Sequence, residues 1–365
     1  MSKRPTIPDL ARAAGVSVAT VDRVLNRRLP VREVTVERVL EAAEAIGFHA
    51  AGLIRQRLRD GTPSRTFGFL LQGRGDRFYQ GFGEELAAAT RARSDIRGKP
   101  VVEFVDELSP AVIAQRLSDL GARVDALAVV SVDHPHVSLA IERLRARGVP
   151  TFAVISDLTA DTRAAFIGQD SRKEGRTAAW MIANTASRRT PNGPSPNGQG
   201  PNGQGKVGII VGTHRYLCQE TAEISFRSYF REHAPGFRLL ESLVNLEDAR
   251  IAQEATRDLL DRNADLVGLY ICGGGMEGVI DAAREARAEG LQHEPVAIVC
   301  NELSDKTRDA LIDGILTAVI STRTGQIAAR TVEAMAAAIG DPAQLAPAQP
   351  TQFLVPFDLY IAENV

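Results

Sequence analysis

Apolar positions in residues 6–26 follow the period of two short helices with a glycine between them. The positions that share a face are Leu10, Ala11 and Ala14 in the first segment and Val21, Val24 and Leu25 in the second. Thr6 and Asp9 have capping-box spacing, Ser17 opens the second segment, and Gly15 allows a sharp turn. The pattern predicts a helix-turn-helix; an ordinary helical hairpin in a core is the alternative.

A third amphipathic segment begins near Val36 and ends at Gly47. Three helices predict a small all-α domain over residues 1–50. In residues 51–64, Leu53, Ile54 and Leu58 fall on one side of a short helix, which would be marginal alone in water. From its residues alone this stretch is a plain charged linker helix.

Beyond residue 65, short apolar runs alternate with amphipathic stretches. The predicted strands are 67–71, 101–105, 126–130, 151–155, 165–167, 207–211, 266–271, 296–299 and 318–321, and the predicted helices are 80–93, 110–120, 137–147, 173–186, 248–262 and 276–289. This alternation predicts an α/β fold of parallel sheets with helices on both faces, and about 300 residues divide naturally into two lobes. Residues 187–205 repeat Pro-Asn-Gly and predict a disordered loop.

The overall net charge of −2 hides an asymmetry. Residues 1–65 hold 12 Lys/Arg against 7 Asp/Glu, whereas the remainder holds 31 against 38. A basic head on an acidic body suits a module that meets phosphate. Three scattered cysteines, the absence of a membrane-length apolar run and the lack of a signal-peptide pattern predict a cytoplasmic protein.

The run Val-Ser-Val-Ala-Thr-Val-x-Arg-Val-Leu-Asn at residues 16–26 resembles the lactose-repressor (LacI) family of bacterial transcription regulators. The resemblance implies a periplasmic-binding-protein-like effector and dimerisation domain over 65–365. Lobe 1 is expected over about 65–160 and 301–322, and lobe 2 over about 161–300 and 323–365, with crossings near 157–163, 300–303 and 321–324. The resemblance also implies that residues 51–64 form a hinge helix and linker, with a plain charged linker helix as the alternative. It further implies that Leu58 wedges into the minor groove; Arg55, where the family often has alanine, puts close pairing of hinges in doubt.

The outward face of the second helix is expected to read double-stranded operator DNA. Its candidate residues, with the hinge leucine, are Ser17, Val18, Ala19, Thr20, Asp22, Arg23, Asn26 and Leu58. Arg23 is suited to a forked contact with guanine, or is a plain surface arginine. Thr20 and Asn26 suit phosphate or base edges, Val18 and Ala19 a thymine methyl, and Asp22 can accept a hydrogen bond from cytosine.

Effector contacts are expected in the loops that follow the strands, because open parallel sheets bind ligands at their carboxyl ends. The candidates are Phe78, Tyr79, Asp133, Asp157, Asp170, Glu220, Glu223, Gly273, Gly274 and Glu302. The resemblance places the aromatic pair against a sugar face; alternatively, the two are core aromatics. Each aspartate is as well suited to forming a turn.

Two departures from sugar-binding relatives affect the expected effector. Residues 219–226 lack an arginine that these relatives often carry, and residues 272–278 replace their usual Asn-Asp. Glutamates 220, 223 and 302 would then supply the polarity. A neutral or amine-bearing effector is therefore favoured over an acid.

Gly273-x-Gly275-x-x-Gly278, with Glu302 further on, has the outline of a dinucleotide fingerprint and makes a nucleotide-dependent enzyme an alternative. The motif lies late in the chain, after a DNA-reading head, which argues against that interpretation. Asp133-His-Pro-His136 lacks further clustered metal ligands, and no nucleophile motif is present. We therefore expect no enzyme activity, metal or cofactor.

The sequence predicts a homodimeric transcriptional regulator, a repressor of carbohydrate uptake or catabolism controlled by a small sugar-like effector. It would bind operator DNA and no membrane. A sugar-binding protein without a gene target is a further alternative.

Overall fold

The computed structural model describes residues 5–26, 31–52, 54, 62–189, 204–290, 295–340 and 351–365. The chain forms two compact units, one made of Met1–Arg65 with Arg91–Lys99 and the other of Thr66–Thr90 with Pro100–Val365. Within the described ranges, no helix is long and apolar enough to cross a membrane. The predicted loop at 187–205 lies largely outside these ranges, as do Arg55 and Leu58 of the predicted hinge.

The described part of the N-terminal unit includes the helices α1 (Ile7–Ala14), α2 (Val18–Asn26) and α3 (Glu33–Ala45). At the start of α1, the backbone N–H and the hydroxyl of Thr6 both donate to Asp9 Oδ2, at 3.0 and 2.6 Å. Gly15 ends α1 with φ +63°, a left-handed conformation that suits glycine, and the chain then turns into α2. The helix-turn-helix prediction is confirmed.

One hydrophobic cluster holds these helices together. Its buried members are Leu10, Ala11, Ala14, Val21, Val24, Leu25, Val39, Ala42, Ala43, Phe48 and Ile54. The six α1 and α2 positions predicted to face inward are all among them. Ile54 adds a residue from the predicted hinge segment, and its N–H donates to the carbonyl of Ala50 at 3.0 Å.

The larger unit is built on two mostly parallel sheets with interspersed helices, which confirms the predicted α/β class. In the first sheet the strand order is β12-β5-β4-β3-β1-β2. Its strands are β1 (Ser64–Gln72), β2 (Arg97–Val105), β3 (Ala126–Val129), β4 (Thr151–Val154), β5 (Ala165–Gln169) and β12 (Thr351–Val355). Its helices are α4 (Arg77–Ala92), α5 (Pro110–Gly121), α6 (Pro135–Ala146) and α12 (Thr324–Gly340).

The second sheet has the order β13-β11-β10-β9-β6-β7, and β8 also pairs with β6. Its strands are β6 (Gly205–Val211), β7 (Phe237–Leu239), β8 (Leu243–Val244), β9 (Leu266–Cys272), β10 (Ala297–Asn301), β11 (Ala318–Ser321) and β13 (Asp358–Tyr360). Its helices are α7 (Ser171–Arg189), α8 (Leu217–His233), α9 (Ala249–Arg262), α10 (Met276–Ala288) and α11 (Asp305–Ile312). Strand β13 is the antiparallel member, pairing with β11.

The predicted lobe boundaries were wrong in three places. Strand β5 pairs with β4, so the first lobe extends to Gln169 and the crossing predicted near 157–163 lies later. Strands β10 and β11 pair with each other, so residues 301–322 belong to the second lobe. Helix α12 and strand β12 then return to the first sheet, where β12 pairs with β5. Similar apolar runs form both sheets, so the alternation alone does not reveal which sheet a strand joins.

In the second lobe, helices α9 and α10 pack closely at Gly278 of α10. A Cβ atom at this position would lie 1.7 Å from the carbonyl oxygen of Ala249, at the start of α9. Because a backbone atom has little freedom to move aside, the two helices depend on the missing side chain.

We expect Gly278→Ala to lower the free energy of unfolding by about 1–3 kcal/mol, because the added methyl forces α9 and α10 apart. Urea unfolding followed by circular dichroism measures this. The control is Gly81→Ala in α4, where a Cβ would meet nothing within 4 Å. That substitution should stabilise by about 0.5–1 kcal/mol. Equal stabilities for the two variants would contradict the packing argument.

Candidate functional site

The start of helix α2 is fixed by hydroxyl groups. Ser17 Oγ accepts the backbone N–H of Thr20 at 3.1 Å and lies 2.9 Å from the Thr20 hydroxyl. Val18 follows directly, with 49% of its surface exposed, and Ala19 is exposed beside it. The N-terminal end of the helix therefore presents short polar and small apolar groups to solvent.

The same face continues with Asp22, Arg23 and Asn26. The Asn26 amide donates to Asp22 Oδ1 at 2.6 Å, which holds the carboxylate along the helix. Arg23 is exposed, and no ion pair links it to another side chain in the described ranges. A guanidinium presented this way can donate a forked pair of hydrogen bonds to a guanine edge or a phosphate.

A cavity of about 760 Å³ opens within the larger unit. Its lining comes from segments that follow the carboxyl ends of strands in both sheets, including Ile155 after β4, Gly273 after β9 and Thr322 after β11. The size suits a small-molecule ligand. The location is the one that the topology of open parallel sheets favours.

The structure places five of the ten candidate effector residues in this lining. They are Phe78, Tyr79, Gly273, Gly274 and Glu302. The rings of Phe78 and Tyr79 pack edge to face with centroids 5.0 Å apart. These two come from the first lobe and the other three from the second, so residues far apart in sequence share one cavity.

The other five candidates lie outside the lining. Asp133 accepts the Thr159 N–H at 2.9 Å, and Asp157 forms a two-point ion pair with Arg163 at 2.6 and 2.8 Å. The remaining three, listed with their positions, are Asp170 beside Lys173 before α7, Glu220 in the first turn of α8, and Glu223 within hydrogen-bonding reach of His214, Arg227 and Ser242. Four of these five carboxylates, all but Glu220, are thus engaged by nearby protein groups.

Several lining residues were missed by sequence reasoning. They include Asp76, Gln169, Glu174, Tyr216, Gln219, Glu247, Asn301 and Thr322. A usable signal existed for Glu247 and Asn301, which are polar residues at or just after strand ends. Glu174 lies within a helix and carried no such signal.

The cavity holds three shielded glutamates with raised pKa values. Burial raises the pKa of Glu302 to about 7, although Thr322 donates to its carboxylate. Burial also raises the pKa of Glu174, against hydrogen bonds from Asn301, Tyr270 and Gln169. The pKa of Glu247 is likewise raised by burial. Low-dielectric surroundings penalise each charge, and perturbed carboxyl groups of this kind concentrate at functional sites.

A thiol in the lining is unsuited to nucleophilic chemistry. Burial raises the pKa of Cys218 to about 12, so the thiolate that would attack a substrate is scarcely formed at neutral pH. The described residues also contain no group of three or more His, Cys, Asp or Glu arranged to hold a metal ion.

Backbone strain concentrates around the cavity. Ile155, Glu247 and Glu302 have φ values of +66°, +65° and +64°, in the left-handed region that side chains other than glycine seldom adopt. All three line the cavity. Such conformations cost about 1–3 kcal/mol each and persist where the surroundings enforce them, typically at binding sites.

The glycine-rich turn has a structural explanation that needs no nucleotide. A Cβ on Gly274 would lie 2.6 Å from Glu247 Oε2, whose carboxylate accepts the Gly274 N–H. Gly273 and Gly275 have φ values of +112° and +88°. Gly278 is required for helix packing, as described above. The turn is therefore shaped around Glu247.

Two family models match the chain. The model described as "Bacterial regulatory proteins, lacI family" matches residues 6–50, and the model described as "Periplasmic binding protein domain" matches residues 67–342. Together they span both compact units.

Curated relatives match parts of the chain. The transcriptional regulator MalR of Streptomyces coelicolor is 30% identical over 174 residues, which is 46% of each protein. The transcriptional repressor PurR of Vibrio cholerae is 41% identical over 66 residues, 18% of this chain and 19% of that protein. The chain thus spans about half the length, or less, of the curated relatives it matches.

Solved structures share the fold of the larger unit. A solute binding protein of Burkholderia graminis in complex with D-arabinose has a TM-score of 0.70 at 16% identity, covering 82% of this chain and 96% of that one. The glucose-galactose binding protein GanP of Geobacillus stearothermophilus has a TM-score of 0.66 at 16% identity, covering 83% and 99%. At this identity the likeness shows the fold alone.

We expect Glu302→Gln to weaken the pH dependence of stability. The folded protein binds the Glu302 proton with a pKa of about 7, against an ordinary value of 4.5, so this group makes the free energy of unfolding fall as the pH rises through that interval. Between pH 5 and 8 the free energy of unfolding of the variant should therefore fall by about 1–3 kcal/mol less than that of the wild type.

Urea unfolding at pH 5, 6, 7 and 8 checks this expectation. Asp305→Asn, which changes a side chain that is 95% exposed, serves as the control and should follow the wild type. A Glu302→Gln curve parallel to the wild type would contradict the assignment; Glu174 and Glu247 leave a residual slope in every variant.

Proposed function

The chain belongs to the lacI family of bacterial regulatory proteins and carries a periplasmic binding protein domain, and from this premise we propose that it is an effector-controlled, sequence-specific transcriptional regulator. Helix α2 would dock in the major groove of operator DNA, and a small molecule would bind in the cavity of the larger unit. The observation that carries the proposal is the exposed α2 face, with Arg23 unengaged by other described side chains, on a chain that also contains that cavity.

The proposed DNA contacts are the outward residues of α2 and the residue that caps it. They comprise Ser17, Val18, Ala19, Thr20, Asp22, Arg23 and Asn26, with Leu58 retained as a proposal from the sequence. The basic excess of residues 1–65 supports attraction to phosphate. The named relatives, a transcriptional regulator and a transcriptional repressor, support repression as the mode of action.

The proposed effector is a sugar or a sugar-like molecule. The aromatic pair Phe78 and Tyr79 offers apolar faces to a ring, while carboxylates and amides around it suit hydroxyl groups. Structural neighbours bound to D-arabinose and D-fucose support this class of ligand. The effector controls DNA binding only if it has different affinities for the two DNA-binding states.

The regulator is proposed to act in the cytoplasm as a homodimer, with two heads on the halves of a pseudo-palindromic operator. Family membership favours this role over an enzyme. The shaping of the glycine-rich turn around Glu247 and the protonated Cys218 thiol also favour a binding role.

We expect Arg23→Ala to weaken binding to the protein's own promoter region by about 5- to 150-fold, because a forked contact with guanine contributes about 1–3 kcal/mol. Fluorescence anisotropy with a labelled duplex at low ionic strength measures the affinity. Arg262→Ala is the control, since it removes an equally exposed positive charge from α9. Wild-type affinity in Arg23→Ala would remove this residue from the interface.

A thermal-shift screen of sugars, polyols and amino sugars should identify a stabilising ligand, since a ligand at 100 times its Kd stabilises by about 2.7 kcal/mol. We expect Tyr79→Ala to abolish that shift by removing the stacking face. Trp180→Ala, which truncates an aromatic side chain in α7 outside the lining, should leave the shift intact. Undiminished binding by Tyr79→Ala would exclude the aromatic pair from the site.

A further inference from the structure

The cavity lining carries far more negative than positive groups. Its acidic residues are Asp76, Glu174, Glu247, Glu277, Glu302 and Asp305. Among the described residues of the lining, the one basic residue is Arg77, whose side chain is 91% exposed and lies 3.9 Å from Asp305. This cation is therefore at the rim, in contact with solvent, and the shielded carboxylates lie without a basic neighbour in the lining.

Two shielded acids elsewhere in the same unit form ion pairs with basic side chains. Asp157 is held by Arg163, and Glu223 is held by Arg227 and His214. In the described ranges no lysine, arginine or histidine lies within 4 Å of the carboxylates of Glu174, Glu247 or Glu302. A shielded carboxylate without a cation is costly, and the raised pKa values described above express that cost. Asp157 and Glu223 thus have cationic partners that the three cavity glutamates lack.

Polar atoms in the lining also leave acceptors in excess. Asn301 is 93% buried; its amide nitrogen donates to Glu174, and its Oδ1 has no hydrogen-bond partner. The Oε1 atom of Gln169 is unpartnered as well. The side-chain donors of Gln219 and Thr322 are already directed at Glu247 and Glu302. The described lining thus leaves two buried amide oxygens without a donor and three glutamates without a cation.

This deficit discriminates between classes of ligand. A sugar hydroxyl donates one hydrogen bond but brings no charge, whereas an ammonium group donates three, accepts none and carries a positive charge. A phosphate or carboxylate would be repelled. A bare metal ion is disfavoured because the described residues form no cluster of metal ligands.

We propose that the effector is an amino sugar, in which a protonated amine on a sugar skeleton lies among the carboxylates while Phe78 and Tyr79 cover the ring. Aromatic faces tolerate both a sugar ring and a nearby cation. This proposal rests on the proposed function in taking the cavity as the effector site.

Isothermal titration at pH 7 with the full-length protein tests the proposal through matched triplets. Each triplet contains a hexose, its 2-amino-2-deoxy form and the N-acetyl form, in the gluco, galacto and manno series; putrescine is added as an amine without hydroxyls. We expect at least one amino sugar to bind tenfold or more tightly than its hexose and its N-acetyl partner. Equal binding of the neutral member, no saturable binding by any amino sugar, or tighter binding of putrescine would overturn the proposal.

Two charge-neutral variants locate the interaction. Glu247→Gln and Glu302→Gln should each lower amino-sugar affinity tenfold or more and shrink the preference over the hexose, with circular dichroism confirming the fold. Asp258→Asn removes one negative charge from α9 outside the lining and should change neither. Unchanged affinity in both glutamate variants would overturn the proposal.

Operator binding measured on the same preparations distinguishes failure of the amino-sugar proposal from failure of the proposed function. If a neutral sugar regulates DNA binding, the proposed function stands and the amine inference fails. If amino sugars bind selectively but the protein ignores its promoter region, the inference about the cavity stands and the proposed function fails.

Discussion

The larger unit depends on one buried carboxylate, that of Glu174, which draws hydrogen bonds from both sheets. Gln169 ends β5 of the first sheet, while Tyr270 and Asn301 belong to β9 and β10 of the second, and all three donate to Glu174. The chain passes from one sheet to the other between Gln169 and α7, where Glu174 lies. A low-dielectric interior strengthens these bonds and makes their loss costly, so the network holds the crossing and the adjoining cavity wall in one arrangement.

The cavity next to that network contains several features that destabilise the empty protein. Three non-glycine residues with positive φ, Gly274 held close to Glu247, and three carboxylates with raised pKa values all lie in its lining. Each feature costs free energy in the empty protein. A ligand that supplied positive charge and hydrogen-bond donors would offset part of that cost. The bound protein would then be favoured over the empty one.

The two units carry opposite net charges. The head carries excess positive charge and exposes Arg23, as suits a surface that approaches phosphate. The larger unit carries excess negative charge and places part of it in a cavity where, among the described residues, the basic group lies at the rim. In the proposed function, the effector controls the head only if its affinity differs between DNA-binding states, and the opposite charges of the two units suit different partners.

The sequence by itself determined the helix-turn-helix, because its six inward positions, its capping pair and Gly15 act over a few residues. The sequence likewise predicted the alternation of strands and helices, and it marked Phe78 and Tyr79 as cavity residues. Only the tertiary structure decided which strands share a sheet, because β5, β11 and β12 are apolar runs whose partners lie far along the chain. The same holds for the cavity: nothing local marks Glu174 as a lining residue, because its partners Tyr270 and Asn301 lie far along the chain and are brought to it by the packing of the second sheet.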